Sequence, residues 1–269
     1  MPISKKILFY MLLTGAALIV FAPALMAFVM SFMDNKDIMT GSFPQSLSFD
    51  NYIKAFEQFP LLSYLFNSFV ISIVIMIGQL ILSSLAAYAF VFLEFKGRDL
   101  LFYIFIATMM VPFEASIIPN FHIIRDFNWI DTYQGLAVPF FATAFGTFLL
   151  RQNFKQIPKE LKEASEIAGM GDFKFYLTVV LPVAKTSLVT LGVYGFLTSW
   201  NMYLWPLLST TNDSVRTVQI GLKQLQTQEQ LNDWGVIMAG AIIVIIPTLI
   251  LLFLGQKKLQ RGLTEGALK

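Results

Sequence analysis

Five long stretches without a charged residue determine what this chain can fold into. They cover residues 7–33, 58–93, 132–150, 186–212 and 234–256. A sixth apolar stretch, residues 100–121, contains one charged residue, Glu114. Because about 20 apolar residues cross the hydrocarbon core of a bilayer as a helix, the sequence predicts six transmembrane helices. The stretches are continuously apolar and do not alternate with polar residues, which excludes transmembrane β-strands.

The low charge content supports the same interpretation. Charged residues make up 13% of the 269 residues, about half of the roughly 25% that is typical of soluble domains. A water-soluble globule of this length could not cover its surface with so few charges. We therefore predict an all-α polytopic membrane protein with one domain over residues 1–269. Its spans are predicted near residues 8–33, 62–92, 100–123, 133–152, 184–208 and 234–256.

The positions of the basic residues predict the orientation of these spans. If the N-terminus is cytoplasmic, the inner segments contain 14 Lys and Arg residues and the outer segments contain 5. Cytoplasmic loops of membrane proteins carry an excess of Lys and Arg. We therefore expect both termini to lie in the cytoplasm.

The sequence offers few groups for chemistry of its own. It has no Cys and one His, His122, which excludes thiol chemistry and metal sites built from Cys or several His residues. Its net charge of +2 and the lack of a Lys/Arg block argue against nucleic acid as a partner. No Gly-x-x-x-x-Gly-Lys-Ser/Thr phosphate loop occurs. We predict that the chain is not an enzyme and binds no metal or cofactor itself.

The predicted cytoplasmic loop of residues 153–183, here the 153–183 loop, has the pattern of a folded element. Pro158 suits the first position of a helix and Gly169 suits its C-terminal cap, which gives a helix about 15 Å long. One face of this helix contains, at i, i+3, i+4 and i+7 spacing, Leu161, Ala164, Ser165 and Ala168. One large apolar residue beside three small ones forms a narrow ridge, too thin for a helix that lies on a membrane surface. We therefore expect the ridge to dock on a partner protein.

A second short helix is predicted after the first. Gly171 permits a sharp turn, Asp172 can cap a new helix, and Pro182 ends or kinks that helix before the fifth span. The loop is therefore expected to contain two short helices set at an angle and projecting from the membrane.

The motif Glu163-Ala164-Ser165-x-x-x-Gly169 is followed, after nine intervening residues, by Val179-x-Leu181-Pro182. This pattern resembles the EAA loop of ATP-binding-cassette (ABC) importer permeases. The strings Trp200–Leu207, Arg216–Val218 and Arg261–Ala267 extend the similarity to carbohydrate-uptake type 1 permeases, in particular to the shorter membrane subunit of maltose importers. Met110–Glu114 also resembles the glycerol-3-phosphate branch. The loop departs from the family pattern at Ser165, which replaces an Ala, and at Ala168, where many sugar permeases have Asp.

The resemblance implies a role for the loop and a set of partners. Glu163–Gly169 would form the coupling helix, which seats in a cleft of the nucleotide-binding subunit. The residues implied in this coupling are Leu161, Glu163, Ala164, Ser165, Ala168, Gly169, Leu181 and Pro182. The expected partners are a second permease subunit, two ABC ATPase subunits that hold ATP and Mg, an extracellular solute-binding protein and the substrate. The implied substrate is a carbohydrate or related polyol, such as a sugar, an oligosaccharide or a glycerol-3-phosphate-like solute. The resemblance also implies a plasma (inner) membrane of the bacterial type.

Polar and aromatic residues within the spans are candidates for the solute pathway, namely Glu114, Trp200, Asn201 and Tyr203. A carboxylate in a membrane is expected to face protein or water, so Glu114 lines the pathway or lies near the outer end of its helix. Aromatic faces with an amide suit a sugar, whereas Trp and Tyr also anchor helices at the membrane interface. We interpret Asn201 as a pathway residue and Trp205 as an anchor.

Two further expectations concern surfaces. The segment Asp34–Pro60 is predicted to lie outside the membrane and is rich in aromatic residues. We interpret it as a docking surface for the binding protein. Gly192 and Gly195 are expected to allow close packing between helices.

A stand-alone secondary transporter or channel is the alternative function. Such a protein would need intramembrane charges for ion coupling or an internal repeat. The sequence contains one carboxylate within the predicted spans and no visible repeat.

Overall fold

The computed structural model of the chain describes residues 3–44, 46–227 and 233–264. Within these residues it contains helices and connecting segments and no β-strand, as the sequence predicts. The α-helices are α1 (Ile3–Met30), α2 (Asn35–Thr40), α3 (Asp50–Gln58), α4 (Leu61–Phe92), α5 (Arg98–Ala107), α6 (Phe113–Asp126), α7 (Tyr133–Ala137), α8 (Ala144–Phe154), α9 (Lys159–Ile167), α10 (Asp172–Phe175), α11 (Leu181–Val183), α12 (Lys185–Trp200), α13 (Leu204–Ser209), α14 (Val218–Thr227) and α15 (Trp234–Thr264). Short 3₁₀ helices cover Thr108–Met110 and Val138–Phe140, and a π-helical turn covers Tyr176–Val180.

Three helices are long and apolar enough to cross a bilayer by themselves. They contain the segments Lys5–Met30, Leu61–Phe92 and Trp234–Gln256. Three further candidates are bent pairs of helices, so the described residues offer three spans, or six if each pair crosses the membrane as one. The first, second and sixth predicted spans therefore overlap continuous helices, and the third and fourth overlap bent pairs. The fifth predicted span, residues 184–208, overlaps only the second helix of its pair, Lys185–Trp200.

The prediction of one continuous helix over residues 100–123 is wrong. Arg98–Met110 and Phe113–Asp126 meet at an angle of 100°. Pro112 has no backbone N–H to donate, and it disfavours a helical conformation in the residue before it. Val111 is accordingly extended, with φ −87° and ψ 112°, and a new helix starts directly after Pro112.

The fourth and fifth predicted spans are also interrupted. Tyr133–Phe140 and Ala144–Phe154 meet at 45°. In the fifth span α12 ends at Trp200 and α13 begins at Leu204. The interruption therefore comes before Pro206, which lies inside α13, in its first turn, where the missing N–H of proline costs no hydrogen bond.

The chain divides into two compact units. The first comprises the described residues of Met1–Ser63 and Ile220–Ile246, and the second comprises those of Tyr64–Gln219 and Pro247–Lys269. The 153–183 loop and all the candidate pathway residues belong to the second unit.

In the first unit, part of the predicted docking segment Asp34–Pro60 is packed and part is open. The buried Asn51 side chain donates hydrogen bonds to the carbonyls of Ser31 and Met33, at 3.0 and 2.9 Å. In contrast, Phe43 is 94% exposed. The segment is therefore fixed to the end of α1 while it keeps an exposed aromatic side chain.

In the second unit, α4 joins two hydrophobic clusters. Ile71 and Ile75 of α4 pack in one cluster, which also contains Ile124, Leu136 and Trp205. Ala87 and Tyr88, near the other end of α4, pack in the second cluster with Leu150, Phe154, Phe175 and Val180. One uninterrupted helix of 32 residues, about 48 Å long, therefore carries both clusters.

The two glycines of α12 face α4, as predicted, but they differ in how closely. A Cβ atom added to Gly195 would lie 2.5 Å from Oε1 of Gln79, a distance that real Cβ contacts do not allow. A Cβ atom at Gly192 would lie 3.6 Å from the Leu80 side chain, which is an ordinary contact. An alanine at position 195 would therefore force the end of the Gln79 side chain to move.

Candidate functional site

The helix predicted in the 153–183 loop is present as α9. Pro158 has extended backbone, with φ −56° and ψ 134°, and the first helical residue is Lys159, one position later than predicted. Gly169 has φ +68°, the left-handed conformation that commonly ends helices. The amide of Met170 donates to the carbonyl of Ser165 at 2.8 Å, which closes the turn after the helix.

The exposed side of α9 differs from the predicted ridge. Leu161, Glu163, Ala164 and Ala168 are exposed, but Ser165 is 5% exposed and its Oγ donates to the Lys162 carbonyl at 2.7 Å. The expectation that Ser165 shares the exposed ridge is therefore wrong, because this side of the helix packs against the chain itself. Ile167, which the sequence pattern did not single out, is 90% exposed. The sequence feature that could have identified Ile167 is its position three residues after Ala164, which places both residues on the same side of the helix.

The second short helix is also present, with a different start. Gly171 is the residue before α10, and Asp172 is its first residue, so the prediction that Asp172 caps the helix is wrong. The helix continues through the π-helical turn to Val183, and this segment meets α12 at 79°. The bend predicted at Pro182 is therefore present. Pro182 is exposed and Leu181 is half-buried.

An ion pair joins the two short helices of the loop. Lys162 Nζ lies 2.5 Å from Asp172 Oδ1 and 3.2 Å from Glu166 Oε1. The hydrogen bond to Asp172 raises the pKa of Lys162, and the same bond lowers the pKa of Asp172. Both groups are therefore charged at neutral pH, and the pair holds α9 beside α10.

Two hydroxyl groups fix the loop to α4. The Tyr88 hydroxyl donates to the Asp172 carbonyl at 3.0 Å and lies 3.2 Å from Asp172 Oδ1. The Tyr176 hydroxyl lies 2.6 Å from Ser84 Oγ. Sequence analysis missed both contacts. The available signal was the presence of polar side chains at positions 84 and 88 in an otherwise apolar helix, since such groups often hydrogen-bond across helices in membranes.

A buried arginine lies at the start of the loop. Arg151 is 7% exposed, its Nη2 lies 3.4 Å from Asp99 Oδ1, and its guanidinium carbon lies 3.7 Å from the centre of the Phe102 ring. These contacts fix the end of α8 to the first turn of α5. In the described part of the chain no group of three or more Asp, Glu or His side chains could hold a metal ion.

The candidate pathway residues have different degrees of exposure. Asn201 and Glu114 are exposed and Tyr203 is half-buried. Trp200 is 2% exposed and stacks on Phe196, with ring centres 5.8 Å apart, so its ring has no free face for a solute. Asn201 is thus the exposed polar group at the interruption between α12 and α13.

The interpretation of Trp205 as an interfacial anchor is wrong. Its side chain is fully buried, and its Nε1 donates to the Gly135 carbonyl at 3.0 Å. The rings of Phe113 and Phe140 lie 6.1 and 5.9 Å away. Phe113 immediately precedes Glu114, so the start of α6 packs on this tryptophan.

The sequence is similar over nearly its whole length to known transport proteins. Residues 79–265 match the family described as binding-protein-dependent transport system inner membrane component. The chain is 37% identical to the sn-glycerol-3-phosphate transport system permease protein UgpE of Rhizobium meliloti (strain 1021), over 98% of this chain and 97% of that protein. It is 35% identical to the protein of the same name from Yersinia pestis bv. Antiqua (strain Antiqua), over 95% of this chain and 94% of the relative.

Comparison with solved structures leads to the same kind of transport protein. A chain in the crystal structure of a bacterial ABC transporter involved in the import of the acidic polysaccharide alginate matches with a TM-score of 0.86 and 25% identity, over 96% of this chain and 98% of that one. A chain in the bacterial alginate ABC transporter in complex with alginate pentasaccharide-bound periplasmic protein shares the fold, with a TM-score of 0.66 and 13% identity, over 95% and 96% of the two chains. The predicted resemblance to ABC importer permeases is therefore confirmed. The chain is a multi-pass inner membrane protein that belongs to the family of binding-protein-dependent transport system inner membrane components.

Proposed function

We propose that this chain is one of two membrane-spanning subunits of an ATP-driven importer that carries a carbohydrate or related polyol into the cytoplasm. The observation that carries the proposal is the 153–183 loop. Its two short helices are bonded to each other and to α4, and they leave Ala164 and Ile167 on an exposed face. A rigid, exposed apolar face of this kind suits docking on another protein.

The exposed face of α9 is proposed to seat on a partner ATPase. It combines the small residues Ala164 and Ala168 with the large apolar residue Ile167, and Glu163 lies beside them. ATP and Mg would bind to two copies of that partner, because this sequence has no phosphate loop. Hydrolysis on the partner would move the docked helix.

Six spans and a cytoplasmic position for both termini are part of the proposal. The three continuous apolar helices, the first two bent pairs and α12 together support six crossings. The excess of basic residues in the segments on the loop side, 14 against 5, supports the orientation. In this arrangement α9 faces the cytoplasm and the segment Asp34–Pro60 faces the outside, where an extracellular solute-binding protein would dock.

The solute is proposed from the relatives and from the exposed groups at the interruption of the fifth span. Two relatives are named for sn-glycerol 3-phosphate, and the similar solved transporter imports alginate. Asn201 can donate and accept hydrogen bonds with the hydroxyl groups of such solutes. Tyr203 adds a half-buried aromatic ring, whereas Trp200 supports the site from beneath and Glu114 lies at the start of α6.

Co-purification tests this function. The chain would be tagged at its C-terminus and solubilised gently from its host membrane, and the proteins that remain bound would be identified. We expect an ABC ATPase and a second multi-span subunit with the wild-type chain. The E163K variant should lose the ATPase but keep the second subunit.

The matched control is E57K, which reverses the charge of an exposed Glu in the segment Asp34–Pro60. This variant should retain the ATPase. Recovery of the wild-type chain alone, stable and without an ATPase, would contradict the importer function and favour a stand-alone transporter.

A further inference from the structure

Helix α4 is hydrogen-bonded at both ends to segments that are distant in sequence. Near its C-terminal end, the Tyr88 hydroxyl donates to the Asp172 carbonyl at 3.0 Å. Near its N-terminal end, Asn67 Nδ2 donates to the carbonyls of Ser214 and Arg216, at 2.9 and 3.0 Å. Tyr88 and Asn67 are 5% and 3% exposed. Water therefore does not compete effectively for either set of bonds.

Each end also carries a second bond. The Tyr176 hydroxyl lies 2.6 Å from Ser84 Oγ at the loop end. The backbone amide of Val218 donates to Ser68 Oγ, at 2.8 Å, at the other end. Two attachments at each end fix the helix in rotation as well as in position.

The part of α4 between these attachments is suited to transmit movement. It contains no proline, and its one glycine, Gly78, is covered by the ring of Phe141. Tyr88 lies 21 positions after Asn67, a rise of about 31 Å, which is close to the thickness of the hydrocarbon core, about 30 Å.

The covalent connection from the end of the loop into α12 is interrupted, unlike α4. The loop continues into α12 through a π-helical turn at Tyr176–Val180 and a bend of 79°. Such irregular turns mark places where a helix deforms. A displacement of the loop is therefore absorbed at the start of α12, whereas α4 has no corresponding interruption.

The outer attachment leads to the candidate pathway. Residues 211–219, here the outer segment, are bonded to α4 through Asn67 and end at Gln219. Gln219 Nε2 lies 3.5 Å from Asn201 Oδ1 and 3.4 Å from the Trp200 carbonyl. Movement of the outer segment therefore acts directly on the interruption between α12 and α13.

We propose that α4 transmits movement of the 153–183 loop to the outer segment, with Tyr88 and Asn67 as positioning residues. This proposal rests on the proposed function, because the loop moves when a docked ATPase acts on it. Both side chains are buried, and each acts through the segment to which it is bonded. Each determines whether a displacement at one face of the membrane reaches the other face.

The experiment uses the purified complex of this chain with its co-purifying subunits and binding protein, reconstituted in liposomes. The chain has no Cys, so S214C, an exposed position in the outer segment, gives one labelling site in it for an environment-sensitive fluorophore. ATP hydrolysis and the fluorescence change on trapping with ATP and vanadate are measured together.

The variants are Y88F, which removes only the hydroxyl, and N67D, which removes both donors at nearly constant volume. Y10F, which removes an exposed tyrosine hydroxyl on α1, is the matched control.

We expect Y88F and N67D to retain the basal ATP hydrolysis rate while the fluorescence change falls by about fivefold. Y10F should behave as the parent complex. A merely structural role would lower both readouts together, through loss of assembled complex. An undiminished fluorescence change in Y88F and N67D would overturn the proposal.

Two outcomes separate this inference from the proposed function. If the parent complex shows no ATP hydrolysis and no fluorescence change, the proposed function itself fails. If Y88F does not assemble, Y176F breaks the other bond between the loop and α4. Y176F must then retain the basal ATP hydrolysis rate while its fluorescence change falls. Wild-type behaviour of Y176F in that case would contradict the proposal.

Discussion

The hydroxyl of Tyr176 and the Oγ of Ser84 lie 2.6 Å apart, and Ser84 Oγ also donates to the Leu80 carbonyl at 2.6 Å. The serine proton is therefore used within α4, and the tyrosine donates to the serine oxygen. Because of this order, removing the serine hydroxyl and removing the tyrosine hydroxyl have different effects on the hydrogen bonds that remain. S84A leaves the buried Tyr176 hydroxyl without its acceptor, whereas Y176F leaves the Ser84 bond to Leu80 in place.

We therefore predict that S84A destabilises the chain by about 1–3 kcal/mol and that Y176F costs about 1 kcal/mol. Thermal unfolding in detergent, followed by intrinsic fluorescence, measures both variants. Equal losses, or a larger loss for Y176F, would contradict the assigned donor and acceptor.

Gly169 and Gly171 provide a matched pair in the 153–183 loop. A Cβ atom would meet nothing within 4 Å at either position, but only Gly169 has a positive φ, +68°. G169A should therefore destabilise the loop by about 1 kcal/mol through backbone strain alone. G171A should be neutral. Hydrogen exchange of the α9 amides compares the two variants, and equal protection in both would disprove the strain argument.

Gly195 and Gly192 provide a second pair, in the packing of α12 on α4. G195A would displace the Gln79 side chain, whose Nε2 donates to the Phe140 carbonyl at 3.0 Å. We expect a loss of about 1–3 kcal/mol for G195A and a change within about 0.5 kcal/mol for G192A. Melting temperatures of the two purified variants provide the test, and similar values would show that α12 moves away from α4 without cost.

The ion pair between Lys162 and Asp172 should be insensitive to pH across the physiological range. The pKa of Asp172 is lowered from 3.8, so its contribution is full above pH 3.8 and is lost as pH falls through the lower, folded value. The pKa of Lys162 is raised from 10.5, so its contribution is full below pH 10.5 and is lost as pH rises through the higher, folded value.

The Asp172 side chain is 55% exposed, so D172N should cost less than about 1 kcal/mol. The difference in melting temperature between the wild type and D172N should stay constant from about pH 5 to pH 9 and shrink in acid below pH 3.8. A difference that changes near neutral pH would contradict the assignment of this pair.

Trp205 should behave as a core residue. W205F removes the bond from Nε1 to the Gly135 carbonyl and leaves a gap beside Phe113 and Phe140, and W205A should cost about 3–5 kcal/mol. W234F, at a tryptophan that is 43% exposed, serves as the control and should cost little. An unfolding curve for W205A that matches that of W234F would restore the interfacial interpretation.

The parts of the fold that the sequence could predict are those set by local patterns. Charge-free windows located five of the six apolar segments, and the sixth contains a single charge, Glu114. These patterns are local because the cost of placing a charge in hydrocarbon acts on each segment independently. The helix α9 and its end at Gly169 were predictable from proline and glycine, which act on their own backbone. The position of Pro112 was visible, but the 100° angle between the helices on either side depends on what they pack against.

The remaining errors concern contacts between distant segments. Trp205 has the sequence context of an interfacial anchor, but Gly135, 70 residues earlier, supplies its acceptor. Ser165 fits the exposed ridge by spacing, yet that side of α9 faces the chain. Asp172 suits a helix cap, but the ammonium group of Lys162 offers a charged partner, and a charge-assisted bond is stronger than a neutral one. None of these partners can be identified from periodicity.

Helix α1 contributes none of its most apolar window to the interior of this chain. The apolar surface of this helix must therefore be covered by lipid or by another subunit, because the rest of this chain does not cover it. The lipid or subunit that covers this helix contributes to the free energy of unfolding by mass action. The apparent stability of this part of the molecule will thus vary with the lipid-to-protein ratio and with subunit concentration.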